Sequence, residues 1–380
     1  MNKNKEYTCV HYVSNFLPLT EIWIYNQIKF LQTAKPVVIC RDRSNEKTFP
    51  ATHIFCLNKK PKLFSLLNLS VSRITGFIPF FSSVCKKTDC KILHVHFGNN
   101  GVKFTGLSRH LKTPLVCSFY GADAFKYPYQ DTGNRQKLQN LFKYSSTILV
   151  LGPYMKNALM ELGCPADKII IHHLGIETSA IEFKKREFDE NKPTRFLMAS
   201  SFVEKKGIDI CLKALSLVKN RINFTIDIIG DGVLKEEIIR LVDELELKDK
   251  ITFHGYKDYS YMLELAMSCH AFLQASRTSS ENDKEGTPMV MVDVMATGLP
   301  IISTNHSDIP EIVEDGITGF LAEENDIDSF AQKITEFWDK RENISTMSIN
   351  CRKKVESNFD AKKQSSILNN IYNNLINTGV

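Results

Sequence analysis

The sequence predicts an α/β protein of two doubly wound lobes, each a parallel sheet wrapped by helices, facing one another across a central cleft. Three observations carry this reading. The 380 residues exceed what one ordinary hydrophobic core organises, so two domains are expected. Short β-branched runs alternate with longer amphipathic segments, the pattern of βαβ units. The alternation breaks once, in a polar stretch at 177–194 where Lys184-Lys185-Arg186 and Asp189-Glu190-Asn191-Lys192 lead into helix-disfavouring Pro193, and then starts again.

In chain order, strands are expected at 7–13, 37–41, 53–57, 92–97, 115–120, 147–151 and 169–173, with helices such as 20–31 and 153–162 between most of them. These make a first lobe, 1–178. A linker is assigned to 179–194. The second lobe, 195–360, has strands at 195–199, 224–230, 251–255, 271–275, 301–304 and 319–322, separated by helices such as 208–218 and 234–245. Residues 361–380 read as a C-terminal helix packing back toward the first lobe. Sheets of this kind bind ligands beyond the carboxyl ends of their strands.

Composition narrows the class. With 43% apolar and 24% charged residues, the chain has a core to build and is not collagen-like, low-complexity or disordered. Its ten cysteines never fall as C-x-x-C and mostly sit in apolar runs such as Thr8-Cys9-Val10, so they read as buried thiols of a reducing cytoplasm rather than a disulfide framework or zinc site. No apolar block and cleavage site follow Met1-Asn2-Lys3-Asn4-Lys5, and no secretory signal is expected. The net charge of +5 conceals an asymmetry: residues 1–178 carry 23 Lys and Arg against 10 Asp and Glu, and residues 179–380 carry 25 against 33. The first half is the basic one. In the absence of a helix-turn-helix, zinc-finger or RNP signature, nucleic acid is not the expected partner.

Residues 63–84 are apolar and aromatic, with Phe64, Phe77, Phe80 and Phe81, and are flanked by Lys59, Lys60, Lys62, Lys86 and Lys87. Arg73, Gly76 and Pro79 argue against a spanning helix. Two readings stay open: an interfacial helix resting the basic half on an anionic inner leaflet, or an amphipathic helix covering a sheet. His94 and His96 share one strand face, and with no third ligand evident they read as structural, as do His172 and His173.

The most informative stretch runs from Glu285 to Pro300. Thr287 is placed as the N-cap and Pro288 as the first residue of a helix over 288–297, which Gly298 and Pro300 end. Free amides and the positive dipole end at its start make a phosphate site, and Gly286 lets an anionic ligand approach the backbone. Apart from Asp293 and Thr297 the helix is apolar, so the Asp293 carboxylate needs partners: sugar or ribose hydroxyls on one reading, a nearby Lys or backbone amide on the other.

This segment resembles the E-x7-E signature of the retaining glycosyltransferases of family 4, whose GT-B fold pairs two Rossmann-like lobes. Upstream, Ser201-Phe202-Val203-Glu204-Lys205-Lys206-Gly207 resembles the segment that supplies a diphosphate-binding lysine, Gly230-Asp231-Gly232 the family's G-x-G turn, and Phe253-His254-Gly255 its F-x-G strand end. Downstream, His306-Ser307-Asp308-Ile309-Pro310-Glu311 and Asp315-Gly316-Ile317-Thr318-Gly319-Phe320 match as well. In the first half, Phe16-Leu17-Pro18-Leu19-Thr20-Glu21 and Ser118-Phe119-Tyr120-Gly121-Ala122-Asp123 resemble the branch that builds bacterial exopolysaccharides, including the colanic acid and amylovoran enzymes.

The resemblance implies a retaining, metal-independent hexosyltransferase without a further cofactor. Its donor would be a nucleotide sugar, with UDP favoured over GDP, bound by the second lobe. Its acceptor, on the first lobe, would be a saccharide, lipid-linked, in surface polysaccharide assembly. Lys206, Glu285 and Tyr120 would be catalytic. Ser201, Lys206, Gly230, Glu285, Gly286, Thr287, Pro288, Met289, Val290 and Asp293 would hold the donor: Lys206 and the 286–290 amides its diphosphate, Glu285 the sugar and Asp293 the ribose. Departure of the diphosphate builds negative charge, which cations and amides stabilise. Asp293 stands where the family has a second glutamate, Ser201 where an arginine often stands, and Tyr120 where histidine is usual. A phenol with a pKa near 10 donates a hydrogen bond but is a poor base, so the leaving phosphate would take the acceptor's proton. Truncating Lys206 or Glu285 to alanine is expected to remove most transfer and leave the fold intact. The enzyme would be cytoplasmic, at the inner face of the plasma membrane. Two rival readings are a sugar-nucleotide epimerase of the same fold and an inactive homologue acting as a binding partner.

Overall fold

The computed structural model describes residues 6–18, 21–46 and 53–378. It divides into two compact units, one running to Gly175 and resumed from Ala361, the other Ile176–Asp360. The first unit holds β1 (Tyr7–Phe16), β2 (Ala34–Arg43), β3 (Ile54–Cys56), β4 (Cys90–His96), β5 (Leu115–Ser118), β6 (Thr147–Val150) and β7 (Ile169–Ile171). The second holds β8 (Thr194–Ala199), β9 (Phe224–Ile229), β10 (Ile251–Gly255), β11 (Ala271–Gln274), β12 (Ile301–Thr304) and β13 (Gly319–Ala322). Every apolar run read as a strand forms one, because helices cover both faces of a parallel sheet and its central strands are apolar throughout; β5, β6 and β12 are buried at every residue.

The strand orders are β3-β2-β1-β4-β5-β6-β7 and β10-β9-β8-β11-β12-β13, and all pairs are parallel. In each sheet the chain starts in the middle, builds to one edge, then returns to build the other. The reversal falls between β1 and β4, and between β8 and β11. At such a switch point the flanking loops leave in opposite directions and open a crevice at the strands' carboxyl ends.

In the second unit, the helices Ile208–Val218 and Ile327–Asp339 pack on one face of the sheet through Cys211, Leu215, Phe330 and Ile334. The helices Met289–Ala296 and Ile344–Asn358 cover the other through Met291, Met295, Cys351 and Val355. In the first unit the C-terminal helix, Ala361–Asn377, sets Leu368, Ile371 and Tyr372 against Cys9, Ile92, Val116 and Leu149.

Several expectations need correction. The polar stretch 179–194 is not a loose linker: Ile181 and Arg186 are buried, and the Arg186 guanidinium donates to the Ala266 carbonyl (3.0 Å) and Thr297 Oγ1 (2.8 Å), so the stretch packs within the second unit, which begins at Ile176. Residues 63–84 are not one helix. Gly76, at φ 78°, closes the helix Lys62–Thr75, Pro79 opens Pro79–Lys87, and the two meet at 92°. No single helix among the described residues is long and apolar enough to cross a membrane. The helix expected from residue 20 begins at Ile22; Leu19 and Thr20 of the first-half motif lie outside the described residues. All ten cysteines are free thiols, nine of them buried.

Candidate functional site

Two loops at the β8/β11 switch point build the site in the second unit. After β8 the chain makes a short turn, Glu204–Lys206, ending at Gly207 with φ 60°. A Cβ at Gly207 would lie 1.8 Å from the Ala275 carbonyl oxygen, so glycine alone lets this turn press against the end of β11. The loop after β11 is tied to it in return. The Arg277 amide donates to the Lys205 carbonyl (2.9 Å), and the Glu204 carboxylate accepts the Ser280 amide (3.0 Å) and hydroxyl (2.7 Å).

This pairing brings Lys206 Nζ to 2.7 Å from Glu285 Oε1, with side-chain exposures of 14% and 8%. Burial works to raise the Glu285 pKa, but Lys206 and Lys205 outweigh it and hold the carboxyl below its ordinary value. Oε1 has charge compensation but no aligned hydrogen bond, so a buried acceptor position stays open to a ligand donor. The Glu285 backbone is fixed on both sides: its amide donates to His306 Nε2 (3.2 Å) and its carbonyl accepts the Ser307 hydroxyl (2.7 Å). Because His306 Nε2 accepts, its Nδ1 donates, to Glu324 Oε2 at 2.9 Å; Glu324 Oε1 accepts the Thr278 amide at 2.6 Å. His306 and Glu324 are site-shaping residues that sequence reasoning missed, although His306 lay in a motif it quoted.

The helix Met289–Ala296 starts immediately afterwards. Its cap is Pro288, not Thr287, and no side chain caps it. The Met289 and Val290 amides therefore have no intrahelical acceptor, while Gly286 and Thr287 are buried beside them. Asp293 has a partner that neither sequence reading offered: Tyr259 donates its hydroxyl to Oδ1 at 2.8 Å, from the neighbouring helix Tyr259–Ala266. Burial raises the Asp293 pKa to about 7 against the lowering effect of that hydrogen bond. Gly230, at the end of β9 with φ 144°, would carry a Cβ 1.9 Å from the Ser200 carbonyl oxygen, so it too must be glycine. Ser201 is exposed on the loop beside it. Ser201, Lys206, Gly230, the 285–290 segment and Asp293 thus all lie in the second unit.

Tyr120 lies in the first unit, just past β5. Its hydroxyl is 2.6 Å from His96 Nδ1 and its ring packs on Trp23 and Phe97. The Asp123 carboxylate accepts the amides of Tyr120 (3.0 Å), Gly121 (2.9 Å) and Gly98 (2.8 Å), which fixes this turn against the start of the helix after β4. Burial drives the Tyr120 phenol well above its ordinary pKa, so it can donate but not act as a base near neutrality.

Behind Tyr120 lies a third histidine. His11 on β1 pairs in register with His94 on β4, and its Nδ1 is 3.1 Å from His96 Nε2. His94 is held by Ser118 Oγ (2.7 Å) and by the Tyr372 hydroxyl (2.5 Å) of the C-terminal helix. The three imidazoles offer nitrogens within 4.8 Å of one another. However, His94 and His96 stack at 4.4 Å and 23°, and His11 and His96 at 5.4 Å and 21°. Near-parallel rings send their in-plane lone pairs alongside one another, not to one ion. Burial lowers His11 to about 3 and His94 and His96 well below the usual value, so the three imidazoles are neutral; His11 and His96 are linked by hydrogen bonds to Tyr120, while His94 bonds to Ser118 and Tyr372.

Comparison with known proteins covers both units. Residues 20–180 match the profile Glycosyltransferase Family 4, and residues 179–354 match Glycosyl transferases group 1. The chain is 29% identical over 273 residues to the amylovoran biosynthesis glycosyltransferase AmsK of Erwinia amylovora, covering 71% of this chain and 66% of that protein. It is 26% identical over 299 residues to the putative colanic acid biosynthesis glycosyltransferase WcaL of Escherichia coli K12, covering 77% and 71%. Among solved structures, the Anabaena protein HepE in complex with UDP matches with a TM-score of 0.78 at 16% identity, over 97% of this chain and 100% of that one. A glycosyltransferase from Rickettsia africae matches at 0.79 and 18%, over 98% and 99%.

Proposed function

Since this chain belongs to the glycosyltransferases of family 4, with the GT-B fold, its two halves matched in turn by the family 4 and group 1 profiles, we propose that it transfers a hexose-type sugar from a nucleoside diphosphate donor to a saccharide acceptor with retention at the anomeric carbon. The observation that carries the reading is the Lys206–Glu285 pair, buried beside the β8/β11 switch point and just ahead of an uncapped helix start.

In this reading Lys206 turns from Glu285 to the diphosphate, which also takes the Met289 and Val290 amides, and Glu285 accepts hydrogen bonds from sugar hydroxyls. The bond from the anomeric carbon to the diphosphate oxygen breaks, and the bond to the acceptor oxygen forms on the same face. The acceptor's proton passes to the departing phosphate. Lysine and amides supply the positive field on the leaving group, and we read the transfer as metal-independent. Tyr120 serves as a donor that positions a substrate hydroxyl, consistent with its raised pKa. Asp293, with Tyr259, takes the ribose.

A uridine nucleotide is favoured over a guanosine one by the likeness to HepE, solved with UDP. The amylovoran and colanic acid relatives support a saccharide acceptor in surface polysaccharide assembly. The basic first half supports a lipid-linked acceptor met at an anionic inner leaflet by a cytoplasmic enzyme. The test is a panel of nucleotides and nucleotide sugars scored by thermal unfolding, in which a ligand at one hundred times its Kd stabilises by about 2.7 kcal/mol. Stabilisation by UDP and UDP-sugars, followed by transfer with retained configuration read by NMR, supports the proposal. A panel in which no diphosphate nucleotide raises the Tm rejects it.

A further inference from the structure

The helix Lys62–Thr75 is inside out. Its inward residues include Ser65, whose hydroxyl donates to the Leu57 carbonyl, and Asn68, whose Oδ1 accepts the Phe80 amide. Its outward residues are Leu63, Leu66, Leu67, Val71 and Ile74, with Leu66 61% and Ile74 89% exposed. A contiguous apolar helix face in water is a surface made for a partner. Beside it lies a pocket of about 350 Å3 with an aromatic floor, Phe77, Phe81 and Phe104, and three cations, Arg41, Arg73 and Lys103. The lining includes no Asp or Glu, and none of the three cations pairs with a carboxylate among the described residues. Burial, and to a smaller extent the like charge of Arg41, lowers the Lys103 pKa.

We propose that this helix and the pocket beside it form a binding site for anionic phospholipid, with the outward leucines in the acyl boundary and a lipid phosphate held by Arg41, Arg73 and Lys103. Charge selects the occupant. Residues 59–87 carry six Lys and Arg and no Asp or Glu, so a second copy of the chain would set like charge against like, whereas an anionic leaflet is attracted. The size of the pocket agrees, since its volume matches on the order of ten water molecules, room for a headgroup but not for acyl chains, which would lie along the helix. No single helix among the described residues is long and apolar enough to cross a membrane, and the two helices that are apolar enough together bend by 92° between them, so we place the attachment at the interface. The inference deepens the membrane-surface part of the proposed function and rests on that reading only for its biological setting.

The full chain is floated with vesicles of phosphatidylglycerol and phosphatidylcholine in equal parts, and with phosphatidylcholine alone. The wild type floats with the first and not the second. Leu66→Ser/Leu67→Ser/Ile74→Ser abolishes flotation without lowering the Tm, since these side chains already face water. Arg73→Gln/Lys103→Gln weakens vesicle binding about tenfold or more. Any of four results overturns the proposal: no flotation, equal flotation with phosphatidylcholine alone, loss of flotation on adding inorganic phosphate at matched ionic strength, or a wild-type dimer that the serine variant converts to monomer. UDP stabilisation of the same samples reports the second unit, so UDP binding without flotation removes this inference alone, and flotation without UDP binding removes the transferase reading alone.

Discussion

Replacing Lys206 with alanine separates what the pair does for the fold from what it does for transfer. Glu285 is buried with Lys206 2.7 Å away, so the truncation leaves a carboxylate in a medium that solvates it poorly. Breaking one side of a buried pair costs about 3–5 kcal/mol, a large part of the ~5–15 kcal/mol that holds a typical domain. On this count the truncation is expected to lower stability as well as transfer. The sign with pH follows. In the wild type the Glu285 pKa is depressed, so its stabilisation is present above the unfolded value of about 4.5 and is lost as pH falls through the folded one. In Lys206→Ala burial is opposed chiefly by Lys205 and the folded pKa rises from its wild-type position, so the penalty is greatest at high pH and eases on acidification. Glu285→Gln, which keeps the shape and leaves a lysine long enough to reach solvent, costs about 1–3 kcal/mol. Lys206→Met/Glu285→Leu costs less than the two single changes together. The assay is urea unfolding in a Trp23→Phe background, where Trp338 reports the second unit alone. Transfer is expected to fall about 10²–10³-fold in all three variants. Wild-type unfolding of Lys206→Ala would refute the buried-pair argument, and full transfer by the double variant would refute the catalytic one.

UDP binding should weaken about tenfold between pH 8 and pH 6 as Asp293, with a pKa of about 7, takes up a proton; Asp293→Asn flattens the profile and Tyr259→Phe moves its inflection upward, both read by calorimetry. Tyr120→Phe strips the partner from His96 Nδ1, costing about 1–3 kcal/mol in the first unit and lowering transfer while leaving UDP affinity unchanged. The first unit should be acid-labile. His11 and His172 titrate at about 3 and about 4, and His94 and His96 are also lowered, so below an unfolded value of about 6.5 the unfolded chain binds more protons and each histidine removes up to ~1.4 kcal/mol per pH unit. Glu21 and Asp123, both raised by burial, oppose this as they protonate but are fewer. Trp23 fluorescence should report opening of the first unit at mildly acidic pH, and a flat response down to pH 5 would refute the neutral cluster.

What could be read from the sequence was what short segments signal by themselves. Thirteen strands were legible because the interior strands, buried on both faces, leave apolar runs, and the more exposed edge strands β7 and β10 keep β-branched residues. Lys206 and Glu285 were singled out by the resemblance of their segments to the family 4 motifs, and the fold brings the two side chains to 2.7 Å. What escaped depends on register and on which side of an element faces inward. His11 meets His94 only because β1 and β4 pair in one register across the switch point, and His96 lies 85 residues away in the chain. Tyr259 reaches Asp293 across two helices that share no sequence pattern. Arg186 sits in a run whose polarity signals a linker, yet its guanidinium finds three acceptors, the Lys184 and Ala266 carbonyls and Thr297 Oγ1, that make burial tolerable.

The helix Lys62–Thr75 sharpens the point. Periodicity establishes that one of its faces is apolar but carries no sign telling whether that face meets the core or the outside. Here the polar face lies inward, where it makes two hydrogen bonds, from Ser65 to Leu57 and from Phe80 to Asn68. Replacing Asn68 with leucine removes one of them and makes the inner face more apolar. If the hydrogen bonds hold the orientation, Asn68→Leu should lower the Tm and reduce flotation with anionic vesicles together. An Asn68→Leu variant that keeps both would show that packing at the 92° bend, rather than these bonds, orients the helix.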